Sequence, residues 1–280
     1  MKKKFVFIDI DGTLFDHKKR CIPSSALVAM EKAIENGHKL FICTGRPFPD
    51  LEKEMLELPV DGYILSCGAQ VQVNNIDIFL SPFPAEDLKR IASFMVENGI
   101  GFSLEGKQRN YMNKEAYEFF KDLILSEIDE ESSEVAKVLL KEREMYHYNE
   151  ITEEDWKQIL KISLFSSNRE KCKEMIDKLP EHLYGFLHEN PHLDLLNGEI
   201  TIKGINKASG IDCILEYFNH PLEDTIAIGD SMNDIEMIQH AAIGICMGNG
   251  DFHLKEKADY TTDSISHDGF YKAFKYFHLI

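Results

Sequence analysis

Two pairs of aspartates, far apart in the chain, have the side-chain type and spacing that phosphoryl chemistry needs. Asp9 and Asp11 flank a single residue, and Asp230 and Asp234 form the second pair. A carboxylate can attack phosphorus, and a neighbouring carboxyl group can give a proton to the leaving oxygen and later take one from water. Several carboxylates that meet require a cation, and oxygen ligands beside a phosphate suit Mg²⁺. The aspartates therefore predict magnesium-assisted phosphoryl transfer if they converge in the fold.

Each aspartate pair also has a simpler interpretation. Asp and Asn favour turns and helix caps, so the segment from Asp9 to Thr13 could be a strand-ending turn, and residues 229–234 could be a strand, a turn and a helix cap. Either interpretation is sufficient for one pair alone. Two pairs that both follow short apolar runs favour a common site, because ligands in open parallel sheets bind at the carboxyl ends of the strands.

A phosphate group also needs hydrogen-bond donors and positive charge. Thr44 and Gly45 offer a hydroxyl group and an accessible backbone N–H. Lys207 opens an expected helix, where its ammonium group could counter the charge on phosphoryl oxygens. A single lysine at a helix start is usually a surface residue, so the prediction for Lys207 depends on the aspartates.

The elements expected to position these residues alternate between strands and helices. Short apolar runs rich in β-formers predict strands buried on both faces. A helix from Ser24-Ser25 to Gly37 joins the first two strands into a βαβ unit, and the same alternation returns after Lys207. We therefore expect an α/β fold whose core is a doubly wound (Rossmann-like), mostly parallel sheet. The expected strands are residues 4–10, 39–43, 62–65, 225–228 and 242–246.

The middle of the chain has a different pattern and predicts a separate, inserted α+β domain. It mixes strand-like pieces with helix-like pieces, including a polar helical stretch from about residue 114 to 142 and an acidic run over residues 127–134. Turn signals near residues 82–84 and at Asn190-Pro191 mark its ends. We predict a core domain of residues 1–83 and 191–280 and an insert of residues 84–190.

Composition and charge limit the partners of the protein. The 280 residues carry a net charge of −17, which opposes binding to nucleic acid and to anionic lipid unless a basic patch is present. No apolar run has the length of a secretory signal or of a transmembrane helix. The 6 cysteines are widely scattered, as expected for free thiols. We expect a cytoplasmic protein, a monomer or weak homodimer, that binds a small-molecule phosphate.

Four segments hold the candidate residues, and they follow one another along the chain as DIDGT at 9–13, Thr44-Gly45-Arg46, Gly204-Ile205-Asn206-Lys207 and Gly229-Asp230-Ser231-Met232-Asn233-Asp234. With these segments in this order, the sequence resembles the haloacid-dehalogenase-like (HAD) superfamily, and within it the Cof-type hydrolases, which are small-molecule phosphatases with a type IIB cap. The insert lies between the second and third segments, which matches the family's second cap position and implies that the insert, residues 84–190, is an α+β cap domain. Residues 241–249 and the late segment 267–269 are similar to the family's closing segments, whereas Gly250 replaces an alanine of many relatives.

This resemblance implies a role for each residue of the site. Asp9 would be the nucleophile and a metal ligand, Asp11 the acid/base and a ligand through its backbone carbonyl, and Asp230 the third protein ligand of Mg²⁺. Asp234 would orient these groups without binding the metal. Phosphate would be held by the backbone N–H of Ile10 and by Thr44, Gly45, Lys207 and Asn233. Specificity would depend on the cap, with Arg109, Tyr111 and His188 as candidate contacts.

The expected activity is hydrolysis of a small organic phosphate, such as a sugar phosphate, a nucleotide or pyridoxal phosphate, through an aspartyl-phosphate on Asp9. A phosphomutase of the same fold would return the phosphate to its substrate, and a non-catalytic sugar-phosphate sensor would need no proton shuttle. The intact Asp11 favours an enzyme over the sensor. A zinc site at His182, His188 and His192 is disfavoured, because their spacing fits no helical pair and no cysteine lies nearby.

Overall fold

The chain divides into two compact units. The computed structural model describes residues 2–126, 146–190 and 195–280. Unit 1 comprises Met1–Arg46, Leu51–Leu80 and Ile205–Ile280, and unit 2 comprises Pro47–Asp50 and Ser81–Gly204. The two ends of the sequence thus belong to one unit.

Unit 1 is built on an 8-stranded sheet. With strands numbered in chain order, it contains β1 (Phe5–Ile8), β2 (Lys39–Cys43), β3 (Gly62–Leu65), β4 (Gln70–Val73), β5 (Ile76–Leu80), β12 (Thr225–Gly229), β13 (Gly244–Cys246) and β14 (Tyr260–Thr261). The order is β14-β13-β12-β1-β2-β3-β4-β5. The pairs from β14 to β3 are parallel, and β4 and β5 extend the sheet antiparallel. The predicted doubly wound, mostly parallel α/β core is confirmed.

Helices pack on both faces of this sheet. They are α1 (Ser24–Glu35), α2 (Lys53–Leu56), α6 (Lys207–Phe218), α7 (Ile235–His240), α8 (Phe252–Lys255) and α9 (Gly269–Tyr276). Along β1, Val6 and Ile8 pack in one apolar cluster with α1 and α9, whereas Phe5 and Phe7 pack in another with α6 and α7. Burial on both faces explains the unbroken apolar run of β1. Each such side chain stabilises the fold by about 1.5–3 kcal/mol.

Unit 2 contains a 6-stranded, mainly antiparallel sheet. Its elements are α3 (Ala85–Glu97), β6 (Gly101–Gly106), β7 (Asn110–Met112), α4 (Lys114–Ser126), β8 (Tyr146–His147), β9 (Ile159–Ser166), α5 (Arg169–Asp177), β10 (Leu183–Asn190) and β11 (Leu195–Ile202). The strand order is β10-β11-β9-β6-β7-β8. Alternate residues of β6 and β9, such as Phe102, Leu104 and Ile162, pack with α3 and α5 in one apolar cluster. The predicted α+β character of the insert is confirmed.

The ends of unit 2 differ from the predicted ends of the insert. Unit 2 continues to Gly204, beyond the predicted end at residue 190, because β11 is hydrogen-bonded between β10 and β9. The turn signal at Asn190-Pro191 therefore lies between two paired strands of one sheet. The helical stretch predicted from residue 114 is α4 as far as Ser126. Its remainder, with the acidic run at 127–134, lies outside the described residues.

All the cysteines are free, and Cys43, Cys172 and Cys246 are buried. Within the described ranges, no helix has both the length and the apolar character that crossing a bilayer demands.

Candidate active site

Three neighbouring strands bring the predicted site residues together. β1 lies between β12 and β2 and pairs in parallel with both. Asp9 follows β1, Thr44 follows β2 and Asp230 follows β12. Since parallel neighbours end at the same edge of a sheet, residues from opposite ends of the chain meet there.

Three aspartates form a compact acidic cluster at this edge. Asp9, Asp230 and Asp234 each offer a carboxylate oxygen, and these oxygens all lie within 4.8 Å of one another. Asp9 and Asp234 are buried. Asp234 is held by the backbone, because one of its oxygens accepts hydrogen bonds from the N–H groups of Asp230 (3.0 Å) and Ser231 (3.1 Å). The two distant aspartate pairs therefore converge.

Lys207 is the counter-charge of this cluster. Its side chain is 1% exposed, and its Nζ donates to Asp9 Oδ1 at 2.7 Å and to Asp234 Oδ1 at 2.5 Å. Lys207 is the first residue of α6, whose N-cap Asn206 exchanges hydrogen bonds of 3.0 Å with Ser209. The cap fixes the start of the helix and so directs the lysine into the cluster.

Burial and the neighbouring negative charges favour the protonated forms of Asp9 and Asp230. Burial raises the pKa of Asp9 well above its usual value, Asp234 adds to this, and Lys207 opposes it. Burial, followed by the charge of Asp234, raises the pKa of Asp230 to about 7. One ammonium group is thus not enough to hold the pKa values of Asp9 and Asp230 at their usual level.

These residues fit a divalent cation with a preference for oxygen. Asp230 Oδ1 is buried and has no hydrogen-bond partner among the described residues, although burying such an atom alone is costly. The cluster offers only carboxylate oxygens, which are ligands that suit Mg²⁺. A bound cation would satisfy the orphaned oxygen and lower the pKa values that burial raises.

The turn after β1 places Asp11 beside the cluster. The N–H groups of Leu14 and Phe15 donate to the carbonyl of Ile10 at 2.9 and 2.8 Å, which closes the turn. Gly12 has a φ of +80°, and a Cβ there would lie 2.2 Å from Asp230 Oδ2. Only glycine fits this position without displacing the aspartate.

The Asp11 carboxylate is held by two basic side chains. Arg46 donates through Nε to Oδ2 (2.9 Å) and through Nη2 to Oδ1 (2.5 Å), and His17 Nε2 lies 2.7 Å from Oδ1. Arg46 also contacts Glu52 at 2.6 Å. Burial alone would raise the pKa of Asp11, but the hydrogen bonds and charge of Arg46, with His17, outweigh it and lower the pKa. These contacts therefore favour the ionised form of Asp11.

Apart from Lys207, the predicted phosphate-binding residues lie just after the same three strands. Ile10 belongs to the turn after β1, Thr44 and Gly45 follow β2, and Asn233 lies in the 3₁₀ turn Met232–Asp234 after β12. Thr44 is 1% exposed, and its Oγ1 accepts from the N–H of Arg46 at 3.2 Å. Asn233 is exposed, and its Oδ1 accepts from Ser231 Oγ.

Three residues of this region were not predicted as parts of the site. They are Arg46 and His17, which hold Asp11, and Asn249, whose Nδ2 donates to the carbonyl of Gly12 at 2.8 Å. Arg46 and Asn249 lie in segments that resemble the family, so the sequence contained a signal for both. Nothing in the spacing of His17 indicated its contact.

The specificity candidates of unit 2 have unequal surroundings. Tyr111 is 2% exposed and belongs to the apolar cluster. Arg109 and His188 are exposed. Of the disfavoured zinc ligands, His182 contacts Asp87 at 2.9 Å and His192 lies outside the described residues. Tyr111 is therefore a core residue, and only the other two candidates reach the surface.

Comparison with known proteins gives consistent matches over the whole chain. A family model described as haloacid dehalogenase-like hydrolase matches residues 6–274. The solved structure of a HAD subclass IIB sugar phosphatase is 31% identical with a TM-score of 0.78, and the match covers 99% of this chain and 100% of that one. The 5-amino-6-(5-phospho-D-ribitylamino)uracil phosphatase YcsE of Bacillus subtilis is 26% identical over 281 residues, 99% of this chain and 96% of the relative. Pyridoxal phosphate phosphatase YbhA of Escherichia coli is 26% identical over 295 residues, 100% of both chains.

Proposed function

Because the chain belongs to the haloacid dehalogenase-like hydrolase family, we propose that it is a Mg²⁺-dependent phosphomonoesterase whose nucleophile is Asp9. Family membership and the phosphatase relatives confirm the predicted family and enzyme class. The proposal adds the metal, the covalent intermediate and the roles of single residues.

One arrangement supports the proposal above all others. The oxygens of Asp9, Asp230 and Asp234 lie within 4.8 Å of one another, and Lys207 contacts two of these side chains. A turn or helix cap explains each aspartate alone but does not require a buried lysine between them. A nucleophile, a cation site and a fixed positive charge in one place are what transfer of a phosphoryl group needs.

The reaction would proceed in two steps. In the first, an oxygen of Asp9 forms a bond to phosphorus while the bond from phosphorus to the ester oxygen of the substrate breaks. The ester oxygen takes the proton of the Asp11 carboxyl group, and the alcohol leaves. In the second step, water bonds to phosphorus, loses a proton to Asp11 and releases inorganic phosphate from Asp9.

Asp11 has to change its contacts before the first step. Arg46 and His17 hold it as a carboxylate, which is the form that accepts a proton from water in the second step. Donating a proton in the first step requires the neutral carboxyl group, which the charge of Arg46 disfavours. We infer that substrate binding loosens the contact between Arg46 and Asp11.

The remaining residues would bind the phosphate and balance charge. Mg²⁺, held by Asp9, Asp230 and the backbone carbonyl of Asp11, would neutralise the nucleophile and the phosphoryl oxygens. Lys207 would stabilise the charge that develops on those oxygens, and Asp234 would orient Lys207. The donors for the phosphate would be the N–H of Ile10 together with Thr44, Gly45 and Asn233.

We propose a small organic phosphate as the substrate. Relatives carry the names of a sugar phosphatase and a pyridoxal phosphate phosphatase, and both compounds were expected from the sequence. The predicted insert, residues 84–190, is proposed to set specificity. The cytoplasmic location and the monomeric or weakly dimeric state stay predictions from the sequence.

Phosphate release from a panel of sugar phosphates, nucleotides and pyridoxal phosphate tests the proposal. We expect activity with Mg²⁺, none with EDTA, and none in Asp9→Asn. Asp16→Asn is the matched control, because Asp16 is also buried near this turn but its Oδ1 accepts from the N–H groups of Lys18 and Lys19. Isomer formation without phosphate release would indicate the phosphomutase, and full activity of Asp9→Asn would exclude the mechanism.

A further inference from the structure

The turn after β3 has an unusual backbone. Ser66, Cys67 and Gly68 have φ values of 48°, 54° and 98°. A non-glycine residue in a sparsely populated conformation is strained and persists only where the surroundings enforce it. The side chain of Ser66 offers no compensation, since its buried Oγ has no hydrogen-bond partner in the described part of the chain. The contacts of the backbone therefore have to enforce this conformation.

On one side, the turn holds the loop after β2. The N–H of Ser66 donates to the carbonyl of Arg46 at 2.9 Å, and the N–H of Cys67 donates to the carbonyl of Thr44 at 3.2 Å. These bonds fix both ends of the Thr44-Gly45-Arg46 segment. That segment contains two predicted phosphate-binding residues and the arginine that holds Asp11.

On the other side, the turn packs against the start of α6. A Cβ on Gly68 would lie 2.1 Å from the carbonyl oxygen of Asn206 and 2.7 Å from its carbonyl carbon. Asn206 is the N-cap of the helix and directly precedes Lys207. The close approach is possible because residue 68 has no side chain.

We propose that the Ser66–Gly68 turn is a positioning element. It holds the Thr44-Gly45-Arg46 loop and Lys207 at fixed positions relative to Asp9. The inference rests on the proposed function, since it assigns a task within that site. The left-handed backbone directs two N–H groups to the loop after β2 and brings Gly68 against the N-cap of α6. Neither contact uses a side chain, so both contacts depend on the backbone conformation of the turn.

Gly68→Ala tests the contact with α6. The added methyl group would force Asn206 to retreat by about 1 Å, and a misplacement of that size can cost about 100-fold in rate. We expect kcat to fall by about this factor while KM changes little, because Lys207 acts mainly on charge that develops in the transition state. A variant that was merely less stable would keep its kcat below its unfolding temperature.

Gly99→Ala is the matched control. Gly99 also has a positive φ, +62°, but no atom lies within 4 Å of the position of its Cβ. It therefore carries the same backbone penalty without the contact, and we expect a lower unfolding temperature with kcat within about twofold of the wild type. Equal kcat values for Gly68→Ala and Gly99→Ala would overturn the positioning role.

A second pair of variants covers the case in which Gly68→Ala does not fold. Cys67→Val and Cys67→Gly both remove the thiol, but a β-branched residue disfavours the left-handed backbone and glycine accepts it. We expect Cys67→Gly to keep at least about tenfold more activity than Cys67→Val. Equal kcat values within this pair would overturn the proposal. A wild-type protein inactive on every phosphate would instead refute the proposed function.

Discussion

Removing the buried charge of Lys207 should affect stability and activity together. In Lys207→Met, Asp9 and Asp234 lose the ammonium group that now contacts both at 2.7 and 2.5 Å. Breaking a buried ion pair from one side costs about 3–5 kcal/mol, because the remaining charge stays buried without a partner. The lost stabilisation of the transition state should lower kcat by about 10²–10³-fold, the range known for a single oxyanion donor. Since a domain is stable by about 5–15 kcal/mol, the variant should still fold.

Lys4→Met is the matched control for this charge. Lys4 Nζ lies 2.8 Å from Asp224 Oδ1, but the lysine side chain is 25% exposed, so its loss should cost no more than about 1 kcal/mol. Urea unfolding with EDTA and with Mg²⁺ measures the stability, and phosphate release measures the activity. Mg²⁺ should restore part of the stability of Lys207→Met, because the cation replaces some of the lost charge. A Lys207→Met protein as stable and as active as Lys4→Met would refute this reasoning.

Three further outcomes follow from the structure. Burial raises the pKa of Glu105 to about 7 despite the nearby Lys161, from a usual value of 4.5. The native carboxyl group therefore holds a proton that the unfolded chain has lost, and stability should fall as the pH rises through this window. Between about pH 5 and pH 8, the free energy of unfolding of Glu105→Gln should rise relative to that of the wild type by up to about 3 kcal/mol, as measured by urea titration. A difference between the two proteins that does not change with pH would contradict this. Burial and Asp234 raise the pKa of Asp230 to about 7. Calorimetry should therefore show that the Mg²⁺ affinity falls below that pH, by up to about tenfold per pH unit. An affinity that does not change with pH would argue against Asp230 as a ligand. Gly12→Ala, whose Cβ would lie 2.2 Å from Asp230 Oδ2, should weaken Mg²⁺ binding by at least about tenfold while retaining the circular dichroism of the wild type, and unchanged binding would exclude the close contact.

The convergence of the aspartates could be predicted because it follows from a rule of topology. Apolar runs before Asp9 and Asp230 indicate buried parallel strands, and parallel neighbours end at one edge. The rule needs only the strands and their direction, both of which the local sequence contains. The pairing of β1 with β12 then places Asp9 and Asp230 side by side.

Contacts that depend on the path of a loop could not be predicted in this way. Tertiary packing produces the contacts of Arg46 and His17 with Asp11. It also produces the left-handed backbone at Ser66 and Cys67. The sequence around His17 has no local pattern that indicates its contact with Asp11. The sequence around Cys67 likewise has no pattern that indicates a left-handed backbone.

The end of unit 2 differs from the predicted end of the insert for a different reason. A proline after Asn190 is a strong turn signal, but a turn between two strands of one sheet and a turn between two domains have the same local sequence. Only the pairing of β11 with β9 and β10 distinguishes them.

Trapping the phosphorylated enzyme tests the central claim most directly. The protein would be mixed with Mg²⁺ and an accepted substrate, quenched in acid within one turnover, reduced with borohydride and digested for mass spectrometry. The reduction converts an aspartyl-phosphate to homoserine, so the account predicts this change at position 9 and nowhere else in the wild type. Rapid phosphate release with an unmodified Asp9, or with the change at another aspartate, would contradict it.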